Sequence, residues 1–244
     1  MTFLRSAVFN ALFLGGSAMM AIAALPLLLA PPSWMIAYVR AWARGVVALL
    51  RAVCGIRLEV SGLEHIPPQG AIIAAKHQSA FDTVVWLMLL PAPVYVLKQE
   101  LLSIPVWGLL ARRCGHVAVD RKGGASALKA MVRAAQAALG AGRPVVIFPE
   151  GTRTAPGERV PYQPGVAALA LATGAPLVPV ATDSGLTWGR RAFHKRRGCI
   201  HVSVLPPLPS GLPRGAMMAR LQEVIERESD RLASLSGLVD KSGE

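Results

Sequence analysis

The chain opens on one long apolar stretch and then changes rhythm. Residues 8–29 are nearly uninterrupted apolar, broken mainly by Asn10, Ser17 and Pro26. About 20 such residues suffice to cross a hydrocarbon core. Arg5 makes a thin basic start and Ala21-Ile22-Ala23 resembles a leader cleavage site. The apolar run continues past that site, so a retained membrane segment is the expectation. After Pro31-Pro32, residues 34–53 predict a second helix. At about 100° per residue, Arg40, Arg44 and Arg51 fall within roughly 40° of one another, with Trp34, Tyr38 and Trp42 elsewhere. A basic side and an aromatic side suit a helix in a membrane interface, and an ordinary amphipathic helix packed on a core fits equally. Residues 1–54 are read as a membrane-associating helical hairpin.

From residue 56 short apolar runs alternate with helical ones. Strands are predicted at 57–60, 71–75, 94–97, 117–119, 145–148, 177–180 and 200–205. Helices are predicted from Ser79 and at 105–111, 126–139, 166–173 and 217–232. Pro105 suits a first helical turn, and Gly140 and Gly174 stop two of the helices. The alternation implies an α/β domain over 55–244, with a mostly parallel mixed sheet covered by helices. In such sheets ligands bind beyond the carboxyl ends of the strands.

Composition adds a partner. The 244 residues are 53% hydrophobic and only 16% charged, yet carry a net charge of +12, where about 25% charged is usual. Few charges, mostly basic, on an apolar chain point to anionic lipid headgroups; nucleic acid needs charge but not apolar surface, and is not expected. Cys54, Cys114 and Cys199 lie far apart without a C-x-x-C pair, which argues against a disulfide framework and a zinc site. Neither a metal nor a cofactor is expected.

Candidate chemistry gathers at strand ends. The stretch Lys76-His77-Gln78-Ser79-Ala80-Phe81-Asp82 joins an apolar strand to a helix. Five residues apart on a helix, two side chains diverge by about 140°, so His77 must precede the helix and Asp82 must sit in its first turn. Ser79-x-x-Asp82 reads as a capping box with Ser79 as N-cap. Asp82 could then hold one ring nitrogen of His77 while the other faces a substrate. Further strand ends carry Lys98, Asp120-Arg121 and Pro149-Glu150-Gly151-Thr152-Arg153. Gly151 permits close backbone approach, Thr152 offers a hydroxyl, and Arg153 offers a fork suited to phosphate. Glu150 could accept a hydrogen bond from a substrate hydroxyl. Taken singly, Asp120-Arg121 fits a turn ion pair and Glu150 with Arg153 a solvated loop.

Four blocks in order are similar to those of the glycerolipid acyltransferases. His77-Gln78-Ser79-Ala80-Phe81-Asp82 resembles their His-x4-Asp motif, and Gly115-His116-Val117-Ala118-Val119-Asp120-Arg121 their second block. Phe148-Pro149-Glu150-Gly151-Thr152-Arg153 resembles the third and Val178-Pro179-Val180 the fourth, with Lys98-x-Glu100-Leu101-x-x-Ile104-Pro105 between the first two. The resemblance covers about residues 57–182. It implies acyl transfer from acyl-CoA or acyl-carrier protein to the free hydroxyl of a lysophospholipid acceptor, the sn-2 hydroxyl of 1-acyl-glycerol-3-phosphate. His77 would be the general base and Asp82 its orienting partner, without an acyl-enzyme, which agrees with the lack of a G-x-S-x-G elbow. Arg121, Arg153 and Lys98 would hold the acceptor phosphate, and Glu150-Gly151 would line the acceptor side.

His116 stands where the family usually has an apolar residue, and reads as a tolerated strand substitution rather than a second base. The basic run 190–197 lies outside the blocks; anionic lipid headgroups, the phosphates of CoA or the acidic surface of a carrier protein would each suit it, as would a plain solvated loop, and the membrane surface is the expectation. The expected location is the inner or plasma membrane, with the catalytic domain on the cytoplasmic side. The same chemistry on another lysolipid, such as lyso-ornithine lipid, is one alternative. A non-catalytic basic membrane-binding protein is the other; it accounts for the charge and the hairpin but not for the ordered His, Asp, Glu and Arg.

Overall fold

The computed structural model of the chain describes residues 2–120 and 123–241. The apolar start forms α1 (Thr2–Ala23), which begins earlier and ends earlier than the 8–29 run suggests. Pro26 accounts for the end. It has no N–H, and its ring meets the carbonyl four residues back, so Leu25–Leu28 close as a 3-10 turn. The beginning extends because it is docked. Ser6 and Phe9 are fully buried. The Ser6 hydroxyl accepts the Lys195 N–H at 2.9 Å, and the Phe9 ring meets Trp188 edge-on at 5.3 Å. Burying a side chain such as Phe9 contributes about 1.5–3 kcal/mol.

A second helix, α2 (Pro32–Leu49), returns alongside the first. Tyr38 Oη donates to the Met20 carbonyl at 2.8 Å and Trp42 Nε1 donates to Ser17 Oγ at 3.1 Å. The helix continues as a π-helical turn, Leu50–Cys54, and stops at Gly55 in the left-handed region. By length and hydropathy α1 is long and apolar enough to cross a bilayer. Its outer face is bare: Phe3, Leu4, Leu14, Met19 and Ile22 are each more than 60% exposed. A run of exposed apolar residues of this kind marks an interaction surface.

The rest alternates as expected. In chain order come β1 (Ile56–Ser61), β2 (Ile72–Ala75), α3 (Phe81–Leu89), β3 (Val94–Lys98), α4 (Trp107–Arg113), β4 (Val117–Val119) and α5 (Gly124–Gly140). There follow β5 (Val145–Ile147), α6 (Gly165–Thr173), β6 (Leu177–Thr182), α7 (Ser184–Thr187), β7 (Gly198–Val204) and α8 (Arg214–Lys241). The strands form one sheet in the order β1-β7-β6-β2-β5-β3-β4. From β6 to β4 all pairings are parallel, β7 runs antiparallel to β6, and β1 lies parallel to β7. The sheet is therefore mixed and mostly parallel, as the pattern implies.

Period-two alternation sorts β2 between two cores. Ile73 and Ala75 pack with Val146, Val178, Phe81 and Trp86, the last two from α3. Ile72 and Ala74 pack with Val145 and Leu177 and with Val166, Leu221 and Ile225 from α6 and α8. Phe9 and Leu50 belong to the first cluster, so the N-terminal segment rests on the sheet itself. With both faces covered, the open face of the parallel strands is their carboxyl edge, where β2 delivers His77.

Three local expectations change. The helix after His77 starts at Phe81 with Ala80 as N-cap, not at Ser79. Half of the capping box forms, since the Asp82 carboxylate accepts the Ser79 N–H at 2.7 Å, but Ser79 Oγ accepts the Phe81 N–H at 3.1 Å instead of the Asp82 N–H. The helix expected at 105–111 starts at Trp107 instead. Its second residue, Gly108, lies so close to the Leu102 carbonyl that a Cβ would stand 2.1 Å from it. The basic run is not uniformly exposed either: Lys195 is buried, its Nζ donating to Asn10 Oδ1 at 2.8 Å and lying 5.2 Å from the Trp188 ring centroid. Lys195 therefore clamps α1 to the domain, while Arg190, Arg191, Arg196 and Arg197 face solvent.

Candidate active site

Beyond Ala75 the chain leaves the sheet, and α3 begins at Phe81, which puts His77 ahead of the helix and Asp82 in its first turn. Their side chains meet: His77 Nδ1 lies 3.1 Å from Asp82 Oδ2. The same oxygen accepts the N–H groups of Gln78 and Ser79, both at 2.7 Å, and Oδ1 accepts Ser184 Oγ–H at 2.6 Å. A carboxylate receiving four donors is held as an acceptor, so Nδ1 carries the ring proton and Nε2 is left basic. Nε2 has no hydrogen-bond partner among the described residues. Phe148 lies flat against the imidazole, centroids 4.0 Å apart. Thr154 donates its N–H to the His77 carbonyl at 2.8 Å. Ring and backbone of His77 are thus fixed from both sides.

Behind His77 lies a buried charge network. Lys76 is 1% exposed and donates to Glu226 Oε1 and Oε2 at 2.6 and 2.8 Å. Its Nζ is also 3.4 Å from Glu150 Oε1. Tyr162 Oη donates to Glu226 Oε1 at 2.9 Å, and Glu150 Oε1 accepts the His77 N–H at 3.2 Å. Burial pushes the Glu150 carboxyl up to about 7, against the pull of Lys76 and of the backbone N–H groups it accepts. The Glu150 side chain is 0% exposed; Oε1 holds the backbone of His77, and Oε2 has no hydrogen-bond partner among the described residues. A short loop turning inward at Pro149 puts the side chain there, with Gly151 at φ 67° closing the turn onto the Phe148 carbonyl.

The other expected residues spread along the same edge. Thr152 is exposed and Arg153 half-buried. Burial holds the Arg153 guanidinium below its ordinary value, while the nearby Asp82 carboxylate pulls it up and Arg190 and Arg191 push it down. Arg190 Nη1 also donates to the Arg153 carbonyl at 3.1 Å, so the exposed basic loop borders the site. Lys98 ends β3, two strands from β2 across β5, about 10 Å away at the usual strand spacing. Arg121 lies outside the described residues. His116 is structural: its Nδ1 accepts the Tyr95 N–H at 3.3 Å, and burial brings its imidazole down to about 4.

An acyltransferase family profile matches residues 57–183, over half of the chain. The chain belongs to the acyltransferase family. Among its relatives, the 1-acyl-sn-glycerol-3-phosphate acyltransferase of Pseudomonas aeruginosa is 36% identical over 170 residues, covering 70% of this chain and 66% of that protein. The human 1-acyl-sn-glycerol-3-phosphate acyltransferase alpha is 34% identical over 164 residues, covering 66% of this chain and 58% of that one. The chain thus spans less than two thirds of the length of these relatives. In fold it is similar to the crystal structure of the 1-acyl-sn-glycerophosphate acyltransferase of Thermotoga maritima, with a TM-score of 0.77 at 20% identity, over 96% of this chain and 98% of that one.

Four residues of this candidate site, Phe148, Ser184, Lys76 and Glu226, were given no role by the sequence reading. Phe148 and Ser184 follow the strand-end rule, since each lies at or just past the carboxyl end of β5 or β6. A lysine closing an apolar strand, as Lys76 does, signals a buried partner. Nothing distinguishes Glu226 from the other acids of its charged helix.

Proposed function

We propose that this chain is a membrane-associated O-acyltransferase that moves a fatty acyl group from acyl-CoA or acyl-carrier protein to the sn-2 hydroxyl of 1-acyl-glycerol-3-phosphate. The observation carrying the reading is the Nδ1–Oδ2 bond between His77 and Asp82, which leaves Nε2 free to face a substrate. Nε2 takes the hydroxyl proton as the oxygen attacks the thioester carbonyl. The Asp82 carboxylate stabilises the imidazolium, which then returns the proton to the leaving thiolate. Transfer is direct, with no acyl-enzyme. Arg153, Lys98 and Arg121 hold the acceptor phosphate, and Glu150, Gly151 and Thr152 shape the loop that presents Arg153. The hairpin of residues 1–54 docks the domain of residues 55–244 on the bilayer that stores both lipid substrate and product, on the cytoplasmic side.

The test is thiol release from acyl-CoA and acyl-carrier protein by the purified protein, with lysolipid acceptors that carry or lack a phosphate. Release that depends on 1-acyl-glycerol-3-phosphate supports the reading. Equal rates with a phosphate-free lysolipid remove the phosphate assignment, and no release with any acceptor removes the activity.

A further inference from the structure

At the far edge of the sheet, remote in sequence from His77, three different metal-ligating side chains converge. Glu59 on β1 and Cys199 and His201 on β7 each offer an atom, and these atoms all lie within 4.8 Å of one another. The register explains the meeting: Glu59 pairs with His201, and Cys199 is two residues before it on the same strand, so all three share one face. His201 Nε2 is already 3.6 Å from Glu59 Oε2. Ligands about 2.0–2.3 Å from a tetrahedral zinc ion stand roughly 3.4–3.8 Å from one another, so only the longer gaps must close. The Glu59 side chain, 64% exposed, is free to close them.

A second observation concerns the other ring nitrogen. Asp183, whose side chain is 0% exposed, accepts from His201 Nδ1 at 2.7 Å and from the His201 backbone N–H at 2.7 Å. Ser236 Oγ donates to the same carboxylate at 2.6 Å. A buried carboxylate on one imidazole nitrogen fixes the tautomer and turns the other nitrogen outward as a basic donor, as behind zinc-bound histidines. Here that nitrogen turns toward Cys199 and Glu59. Burial, together with Glu59 and Asp183, pushes the Cys199 thiol up to about 12 while Arg57 pulls the other way, so a bound metal must itself displace the thiol proton.

We propose that Glu59, Cys199 and His201 form a binding site for a zinc-type divalent ion, with Asp183 orienting His201 and a water completing the tetrahedron. Mixed sulfur, nitrogen and oxygen donors select Zn²⁺ over Mg²⁺ or Ca²⁺. Binding exchanges the thiol proton, released to solvent, for a metal–sulfur bond. Sequence spacing hides the site because Cys199-x-His201 lacks a nearby third ligand; the β1–β7 pairing supplies one 140 positions away. The bound ion would tie β1, the first strand after the hairpin, to β7. Asp183 also precedes Ser184, whose hydroxyl holds Asp82, so the clamp steadies the turn that buttresses the His77–Asp82 pair.

The experiment titrates Co²⁺ into the full-length, chelator-treated protein in detergent. One equivalent should bind with tetrahedral visible bands and a sulfur-to-cobalt charge-transfer band, and Zn²⁺ should displace it. Cys199→Ser should abolish the charge-transfer band, whereas Cys54→Ser and Cys114→Ser should keep it. Asp183→Asn should weaken Co²⁺ binding by about 10- to 100-fold. Where a variant fails to fold, the unmodified chain still answers: Zn²⁺ should protect Cys199 from alkylation. Absence of saturable binding, a band that survives Cys199→Ser, or alkylation of Cys199 indifferent to Zn²⁺ would each overturn the proposal.

Discussion

Replacing Lys76 by methionine removes one cation from a buried site. In the folded protein its Nζ bridges both Glu226 oxygens at 2.6 and 2.8 Å and stands 3.4 Å from Glu150. Without it, Glu226 keeps the Tyr162 hydroxyl as its hydrogen-bond partner among the described residues, and a second carboxyl group, Glu150, lies nearby. Removing one member of a buried ion pair costs about 3–5 kcal/mol, because the partner's charge stays desolvated. For a chain of this size each kcal/mol lowers the melting temperature by about 2–4 °C, so Lys76→Met should lose roughly 6–20 °C. Adding Glu226→Gln removes the stranded charge and keeps an oxygen for Tyr162. The double variant should therefore recover about 2 kcal/mol of the loss, a coupling within the range of contacting residues. Urea unfolding of wild type, both single variants and the double variant at pH 8 closes the cycle. A Lys76→Met cost under about 1 kcal/mol, or a Glu226→Gln change that adds to the loss instead of offsetting it, would refute the reasoning.

Other outcomes follow from the same geometry. Asp82→Asn can keep an oxygen toward Gln78, Ser79 and His77 and turn its amide to Ser184, so the fold should hold while kcat falls about 10²-fold or more, the acceptor KM staying within a few-fold. Stopped or steady-state thiol release reads both values. Because burial raises the Glu150 carboxyl from 4.5 to about 7, the folded state holds a proton that the unfolded chain has released across that interval. Stability should therefore fall as pH rises from 4.5 to about 7 and level off above it, by about 3 kcal/mol at about 1.4 kcal/mol per tenfold in proton affinity. Urea midpoints at pH 5 and 8 should show a smaller drop in Glu150→Gln. Arg153→Ala should raise the KM for a phosphorylated acceptor more than that for the thioester donor; equal effects would remove Arg153 from the phosphate site. Ser184→Ala removes one hydrogen bond to a charged group and should slow turnover up to about 10-fold.

The elements most readable in the sequence are those whose physics is local. The Ile72–Ala75 and Val145–Ile147 strands stand out because strands buried on both faces are continuous apolar runs. The five-residue spacing of His77 and Asp82 admits a meeting only across a helix start, and that is where they meet. Local pattern misplaced the start of α1, since what extends it to Thr2 is docking of Ser6 and Phe9 on the loop holding Trp188 and Lys195. The same distant contact converts Lys195 from an expected surface charge into a buried clamp. Glu150 shows a further limit: its burial depends on Lys76 and on Glu226, 150 positions further along the chain. Charge networks of this kind are written in tertiary packing, and no spacing rule along the chain carries them.

The central claim is that one imidazole nitrogen accepts the acceptor's proton. Thiol release from acyl-CoA in the presence of 1-acyl-glycerol-3-phosphate, compared between wild type and a folded His77→Ala variant, tests it most directly. The account predicts a loss of about 10²- to 10⁴-fold in kcat with acceptor binding retained. Turnover within a few-fold of wild type would contradict it.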